Sequence, residues 1–147
     1  MKALIPFCLA LLLSTNCASV EARKEIPFIV LKNYFLSKPH DSDKVEFHLV
    51  NSREELEAIL GYARTMSPKS NPTPIDWNTQ SVFILSIPPS ETAGELEMQE
   101  ITLEDQNAYI KYKHTPRPEK GHIAQPVAVV QLEKSYTDRI SNWVTSN

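Results

Sequence analysis

The sequence predicts an α+β domain: a single, mostly antiparallel sheet of about six strands with one amphipathic helix packed on one face. Two apolar runs, at 82–87 and 127–132, are typical of strands that are buried on both faces. One helical pattern, at 53–65, lies between strand-like segments. Eleven prolines against three glycines favour stiff, irregular connections over a helical bundle.

The N-terminus has the pattern of an export signal. Lys2 supplies a positive charge, and residues 4–13 form an uncharged apolar run that is too short for an ordinary transmembrane helix. Small or short side chains at −3 and −1, Val20 and Ala22, suit signal peptidase, which would remove residues 1–22. The remaining 23–147 would form a single domain outside the cytoplasm, either periplasmic or extracellular.

Cys17 offers a second route for processing the same segment. Residues 13–17 (Leu-Ser-Thr-Asn-Cys) resemble a loose lipobox, in which cleavage before Cys17 leaves a lipidated cysteine. The two cysteines of the chain are Cys8 and Cys17, so neither route leaves the domain a disulfide. Both routes lead out of the cytoplasm, and the lipid anchor is the only membrane attachment that we expect.

The charge balance argues against some classes of partner. The formal net charge is −3 at pH 7, and no segment concentrates Lys and Arg. Phosphate backbones and anionic lipid surfaces need such clusters, so we expect neither nucleic acid nor a membrane surface as partner. The few glycines leave no room for a phosphate-binding loop, and we expect no cofactor.

The first strand-like segments precede the helix. Residues 26–36 are rich in β-branched and aromatic side chains, and residues 45–49 alternate apolar with polar. A turn cluster at 37–43 separates them, which predicts a hairpin.

A capping box begins the helix. Ser52 is the expected N-cap, and Glu55 follows three residues later. The helix is predicted over 53–65, with an apolar stripe that packs on the sheet. That stripe consists of Leu56, Ile59, Leu60 and Ala63.

The middle of the chain is predicted to contain two Pro-rich surface loops around a central strand. Three prolines in 66–76 cannot donate ladder hydrogen bonds, so this segment should cross the surface. Residues 81–87 are the most hydrophobic stretch of the domain and predict a strand in the middle of the sheet. A second loop, 88–95, follows it.

Alternating patterns then predict a hairpin. Residues 96–103 alternate apolar with polar, but the alternation slips between Met98 and Ile101, which indicates a β-bulge. A turn at 105–107 leads into a returning strand at 108–113, whose lysines should point to water.

The end of the chain completes the predicted sheet. A long loop at 114–126 precedes the last buried strand, 127–132. The tail, 135–147, is expected to form a loose helical turn that docks Ile140 and Trp143 on the body.

Three segments also carry a family resemblance. They are Asn-Ser-Arg-Glu-Glu-Leu at 51–56, Ile-Asp-Trp at 75–77 before the apolar strand, and Gln-Leu-Glu-Lys at 131–134. Together they make residues 45–135 similar to the C-terminal domain of the PrcB family, small exported bacterial proteins named for a protease-complex subunit. At 88–94 the chain departs from the Thr-Gly-Gly-Tyr-like turn of that family, because only Thr92 and Gly94 match it.

The resemblance implies a non-catalytic module that binds another exported or envelope protein, such as a protease, and stabilises or regulates it. The prolines of the loop after the central strand pre-order it, which makes this loop the predicted partner-binding segment. It consists of Pro88, Pro89, Ser90, Glu91, Thr92, Ala93 and Gly94. If the strands run up and down, loop 114–126 emerges beside it. The alternative is a protease inhibitor that inserts loop 88–95 into an active-site cleft.

No catalytic residue and no metal site are expected. The histidines at 40, 48, 114 and 122 lack the i, i+4 helical spacing of a zinc pair. His114, His122 and Glu119 share one loop, where solvated side chains are favoured over a weak metal site. A small hydrolase or metal-binding protein is the less favoured alternative.

Asp76 and a set of four glutamates could each have either a structural or a functional role. Asp76 beside Trp77 is favoured as a turn acceptor over a buried catalytic acid near His114 or His122. The glutamates at 91, 95, 97 and 100 lack the Asp/Asn-Gly pattern of a calcium loop, so a solvated strand edge is favoured.

Overall fold

The structure is a computed structural model that describes residues 22–40, 42–63, 71–118 and 123–146. In these ranges the strands are β1 (Lys24–Glu25), β2 (Ile29–Val30), β3 (Tyr34–Leu36), β4 (Glu46–Val50), β5 (Leu60–Tyr62), β6 (Gln80–Ser86), β7 (Glu95–Glu104), β8 (Asn107–Thr115), β9 (Val127–Glu133) and β10 (Asn142–Thr145). The helices are α1 (Arg53–Ile59) and α2 (Lys134–Thr137). None of the described helices is long and apolar enough to cross a membrane.

Several sequence predictions lie outside the described residues. They are the signal segment up to residue 21 with Cys17, the first part of the 66–76 loop, and Glu119 and His122 of the 114–126 loop.

The described strands form three sheets rather than one. The hairpin sheet has the order β1-β7-β8-β10, the central sheet has the order β2-β9-β6-β4, and β3 pairs with β5 in a small third sheet. The predicted α+β fold, with a single sheet of about six strands and one helix, is therefore wrong. The described chain is mostly β and contains two short helices.

The hairpin sheet and the central sheet pack face to face because each has an apolar face to bury. Alternate residues of β7, such as Leu96 and Met98, belong to the same buried cluster as Phe83 and Leu85 of β6. The buried core between the sheets consists of Ile26, Phe83, Leu85, Ile87, Leu96, Met98, Ile101, Leu103, Ala108, Ile110, Ala128, Val130 and Leu132. The alternating pattern of the hairpin strands predicts that one of their faces is buried. It does not show whether these strands belong to the same sheet as β6 or to a second sheet packed on it.

The other face of the central sheet is covered by α1 and the small sheet. Val82, Ile84 and Val129 point to this side and pack with Leu56 and Leu60. Residues 82–85 are 0% exposed, and β6 lies between β9 and β4. The prediction of a central strand buried on both faces is confirmed.

The segment predicted as one strand, 26–36, forms two short strands in different sheets. Asn33 has a φ of 67° and turns the chain between them, a conformation that asparagine tolerates better than most residues. β2 pairs with β9, whereas β3 pairs with β5. The predicted hairpin with 45–49 is wrong, because β4 pairs with β6.

Helix α1 begins as predicted but ends earlier. The Glu55 N–H donates to Ser52 Oγ at 3.2 Å, and the Asn51 N–H donates to the Glu55 carboxylate at 2.7 Å. The helix ends at Ile59, because β5 begins at the next residue, Leu60, and pairs with β3. Leu60, which was predicted to lie on the apolar stripe of the helix, is instead the first residue of β5. It is still buried.

The hairpin prediction is confirmed in detail. The register of β7 and β8 shifts between Met98 and Glu100, where the alternation slips. Asp105, in the two-residue turn between the strands, has a φ of 55°. Lys111 and Lys113 are exposed on β8.

The tail is more ordered than the sequence predicted. It contains the expected helical turn, α2, and then β10, which pairs in parallel with β8. The Trp143 ring stacks on Phe83 with centroids 4.2 Å apart, and Ile140 packs against the same core. Docking of these two side chains is confirmed, whereas β10 was not predicted, although Trp, Val and Thr at 143–145 are typical strand residues.

Trp143→Ala should lower the free energy of unfolding by about 2 kcal/mol, because it removes a large ring from the edge of the core. The neighbouring Val144 is 40% exposed, so Val144→Ala should lower it by less than about 1 kcal/mol. Urea unfolding followed by far-UV circular dichroism measures both values. Equal losses would show that β10 is held by its backbone alone.

Candidate functional site

The two sheets that pack face to face form a sandwich. At one end of it the predicted contact loop, 88–94, is hydrogen-bonded to a second loop. The Ser90 N–H donates to the Ala124 carbonyl at 2.9 Å, and the Ala124 N–H donates back to Ser90 at 3.2 Å. Ala93 forms an isolated parallel bridge with Arg117. The structure thus places loop 88–94 beside the loop after β8, as expected from strands that run up and down.

Short-range contacts stiffen the contact loop from within. The Thr92 N–H donates to Ser90 Oγ at 3.1 Å, which closes a small turn. The His114 Nε2 bonds the Ala93 carbonyl. Gly94 has a φ of +64°, and a Cβ at this position would lie 2.1 Å from the Thr115 carbonyl oxygen. The loop is therefore pre-ordered, and its last residue must be glycine.

The predicted contact residues differ in accessibility. Glu91 and Thr92 are exposed and form the apex of the loop. Pro88, Pro89, Ser90 and Gly94 are partly buried. Ala93 is 2% exposed, so its side chain supports the loop from below and is not available to a partner.

A cleft of about 630 Å³ lies next to the contact loop, on the open side of the sandwich. Its walls are the start of β7, the first half of β9 and the segment that joins β2 to β3. The residues that line it include Leu96, Met98, Ala128 and Val130, with Lys32 and Arg117 at charged positions. The cleft is mixed in character: its apolar floor is almost fully buried, most of its accessible surface is polar, and Glu95 and Glu97 border it along β7.

The cleft is open because the short strands β1 and β2 cover only part of the longer strands behind them. β1 pairs with β7 at Thr102 and Leu103, and the Ile26 N–H reaches the Ile101 carbonyl. Within the described part of the chain, no strand pairs with β7 on this side between 95 and 99. We call residues 95–99 the free edge of β7. Its outward backbone groups lack the hydrogen-bonded neighbour that an interior strand has.

Two of the four glutamates predicted to be solvated, Glu95 and Glu97, lie along this edge. Glu95 and Glu97 are exposed on the outer face of the hairpin sheet. Glu97 lies opposite Lys113, and Glu100 lies opposite Lys111. These pairings place carboxylates and ammonium groups on one face, an arrangement that stabilises neighbouring strands modestly.

The Asp76 side chain stabilises the turn in which it lies. Its carboxylate accepts hydrogen bonds from the Asn78 N–H at 3.1 Å and from Thr79 Oγ1 at 2.9 Å. The bond from the Asn78 backbone, followed by that from Thr79, lowers the pKa of Asp76 below its usual value. Asp76 is exposed and its carboxylate is bonded within its own turn, so the favoured interpretation as a turn acceptor is confirmed.

A second cluster of polar side chains was not expected from the sequence. Glu46 Oε2 lies 3.6 Å from His40 Nδ1 and 3.8 Å from His48 Nε2. The two imidazole rings stack with centroids 5.6 Å apart. Among the described residues, this is the one group of three or more His, Cys, Asp or Glu side chains close enough to share a metal ion.

The histidine cluster had a partial signal in the sequence. Glu46 and His48 are two residues apart on a strand, which puts both side chains on one face. The position of His40 depends on how the connection before β4 folds back, and no local pattern encodes this. The i, i+4 spacing of helical zinc pairs does not apply to this cluster, because none of its three residues lies in a helix.

Comparison of the chain with protein-family models, with curated proteins and with solved structures finds no match. The similarity to PrcB C-terminal domains therefore stays a prediction, and the function has to be argued from the geometry of this molecule.

Gly94→Ala should lower the free energy of unfolding by about 2 kcal/mol or more, because the new Cβ meets backbone atoms in a left-handed conformation. Gly61→Ala is the matched control. Its Cβ would lie 2.4 Å from the tip of the Phe35 ring, which is 50% exposed and can swing away. We expect its cost to stay below about 1 kcal/mol. Urea midpoints of the two variants test this order, and the reverse order would contradict the rigid loop.

Proposed function

We propose that the protein is an exported, non-catalytic binding module that holds an extended segment of another exported or envelope protein along the free edge of β7. The observation that carries the proposal is the edge itself. Its backbone has no strand partner on one side among the described residues, and it borders a cleft with an apolar floor. Such an edge can pair with a strand from a partner chain.

The geometry of the edge favours one kind of side-chain pattern in the proposed partner segment. Side chains of an added strand point alternately to its two faces. One set would enter the cleft beside Leu96 and Met98, which favours apolar residues. The other set would lie on the outer face beside Glu95 and Glu97, which favours basic residues. The proposed ligand is therefore an extended segment that alternates apolar and basic side chains.

The contact loop supports this proposal at the end of the cleft. Gly94 lines the cleft, so a segment that runs along 95–99 would meet the loop. Because hydrogen bonds to Ala124 and within the loop already hold it, little conformational entropy remains to be lost on binding. Glu91 and Thr92 are the predicted contact residues that a partner reaches most easily.

The family resemblance makes an exported protease the first partner to test, with stabilisation or regulation of that protease as the outcome. A loop-inserting inhibitor is the second candidate. Its support is the pre-ordered contact loop with an exposed apex, since pre-ordering favours tight binding. The two candidates differ in which residues touch the partner.

A photo-reactive amino acid placed at Glu95 or Glu97 should cross-link a partner in the producing cells. We expect mass spectrometry to map the cross-links to one extended segment that alternates apolar and basic residues. The same group at Glu54, which is exposed on α1, is the matched control and should give no such product. Cross-links from Glu91 alone, mapped to a protease active site, would favour the inhibitor.

Charge reversal gives a quantitative test on the segment so identified. Glu95→Lys should weaken its binding about tenfold, whereas Glu54→Lys should leave it unchanged. Glu95 lies opposite Thr115, so the reversal creates no like-charge pair across the hairpin. An equal effect of both substitutions would contradict recognition at the free edge.

The intact mass of the exported protein should correspond to a chain that begins at Arg23. A mass that includes an acylated Cys17 would establish the lipoprotein route instead. Cys17→Ser separates the two routes, because it should change neither the mass after Ala22 cleavage nor the location of the protein if the first route is correct. Retention of the full signal segment would contradict both.

A further inference from the structure

The cluster of His40, Glu46 and His48 lies at the opposite edge of the central sheet from the cleft. Glu46 and His48 belong to β4, which ends the sheet order β2-β9-β6-β4. Strand alternation directs both side chains to the same face. The connection before β4 brings His40 over them, and its ring stacks on His48 at an interplanar angle of 26°.

The three donor atoms have the separations of a metal-binding set. His40 Nδ1, His48 Nε2 and a Glu46 carboxylate oxygen all lie within 4.8 Å of one another. Around a tetrahedral zinc ion with bonds of about 2.0–2.1 Å, neighbouring donor atoms are about 3.4 Å apart. The contacts of Glu46 with the two imidazoles, at 3.6 Å and 3.8 Å, need only small side-chain shifts to reach that value.

The hydrogen bonding of the cluster is incomplete without a further group. His48 Nε2 is buried from solvent and has no hydrogen-bond partner among the described residues. A buried nitrogen without a hydrogen-bond partner is unfavourable, and coordination of a cation would remove that cost. The side chains are nevertheless 34%, 27% and 33% exposed at His40, Glu46 and His48, so an ion from solution can reach them.

Neighbouring polar groups can support such a site from outside. Gln125 Oε1 accepts a hydrogen bond from the His40 backbone N–H at 2.7 Å, which anchors the connection. Ser86 lies opposite Glu46 in the ladder, and its buried Oγ has no partner in the described part of the chain. Opposite residues of an antiparallel pair share a face, so this hydroxyl is adjacent to the carboxylate side. Outer groups of this kind orient metal ligands.

We propose that His40, Glu46 and His48 bind one divalent first-row transition-metal ion, with Zn²⁺ as the first candidate. Two imidazoles and one carboxylate form a donor set suited to zinc, whereas calcium and magnesium prefer oxygen ligands throughout. Three protein ligands leave a fourth position for water or for a donor atom of another molecule. The ion would tie the connection before β4 to the edge of the central sheet. This site is separate from the proposed peptide-binding edge.

Zinc binding to the tag-free mature protein tests the proposal by isothermal titration calorimetry. We expect one Zn²⁺ per chain, with a dissociation constant in the micromolar range or below. His40→Ala and His48→Ala should each weaken binding more than about tenfold, the smallest effect typical even of outer-shell changes. His114→Gln is the matched control, because its amide can still bond the Ala93 carbonyl, and it should bind as the unchanged protein does.

Thermal unfolding and Co²⁺ spectra provide a readout that does not depend on affinity alone. Added Zn²⁺ should raise the melting temperature of the unchanged protein and of His114→Gln, but not that of His40→Ala. Co²⁺ bound by the unchanged protein should show the intense visible bands of a four-coordinate site, and Glu46→Gln should alter them. His40 lies outside the strands, so its variant should fold even if His48→Ala does not. Absence of saturable binding, or equal binding by His40→Ala, would overturn the proposal.

Discussion

Burial of β6 and β9 on both faces is the constraint on which the rest of the structure depends. Their side chains alternate between two apolar surfaces, so one cover cannot bury both. The β7–β8 hairpin covers one side with Phe83 and Leu85 beneath it, and α1 with the β3–β5 pair covers the other. The short helix is therefore a cover for half of one face and not the helical layer of an α+β domain.

The two candidate sites both lie at edges of the sheets. β1 and β2 are two residues long each and, among the described residues, leave parts of β7 and β9 without a strand partner on one side. At the far side of the central sheet, β4 carries His48 and Glu46 on its edge. One edge thus offers backbone groups to an extended chain, whereas the other offers side-chain donors to an ion. The two chemistries share no residue and can be tested separately.

Local features were predictable from the sequence, and tertiary ones were not. The Ser52 cap, the bulge after Met98 and the buried strand at 82–85 each depend on neighbours a few residues away. The strand predicted at 26–36 failed because nothing nearby shows that Asn33 turns the chain from one sheet to another. The loop between β6 and β7 was predicted, but the burial of Ala93, the free edge of β7 and the approach of His40 to His48 depend on distant segments.

The pairing of β2 with β9 has a consequence for how the chain acquires its structure. Ile29 is aligned with Gln131, and Lys24 with Leu103, so the first strands find partners only after most of the chain is present. Domains dominated by such distant pairings fold slowly, because loop closure must precede any stabilising contact. A chain with this topology stays unfolded longer after synthesis than a helical one of equal length. If the export predicted from the N-terminal sequence takes place, that delay keeps the chain extended while it crosses the secretion channel.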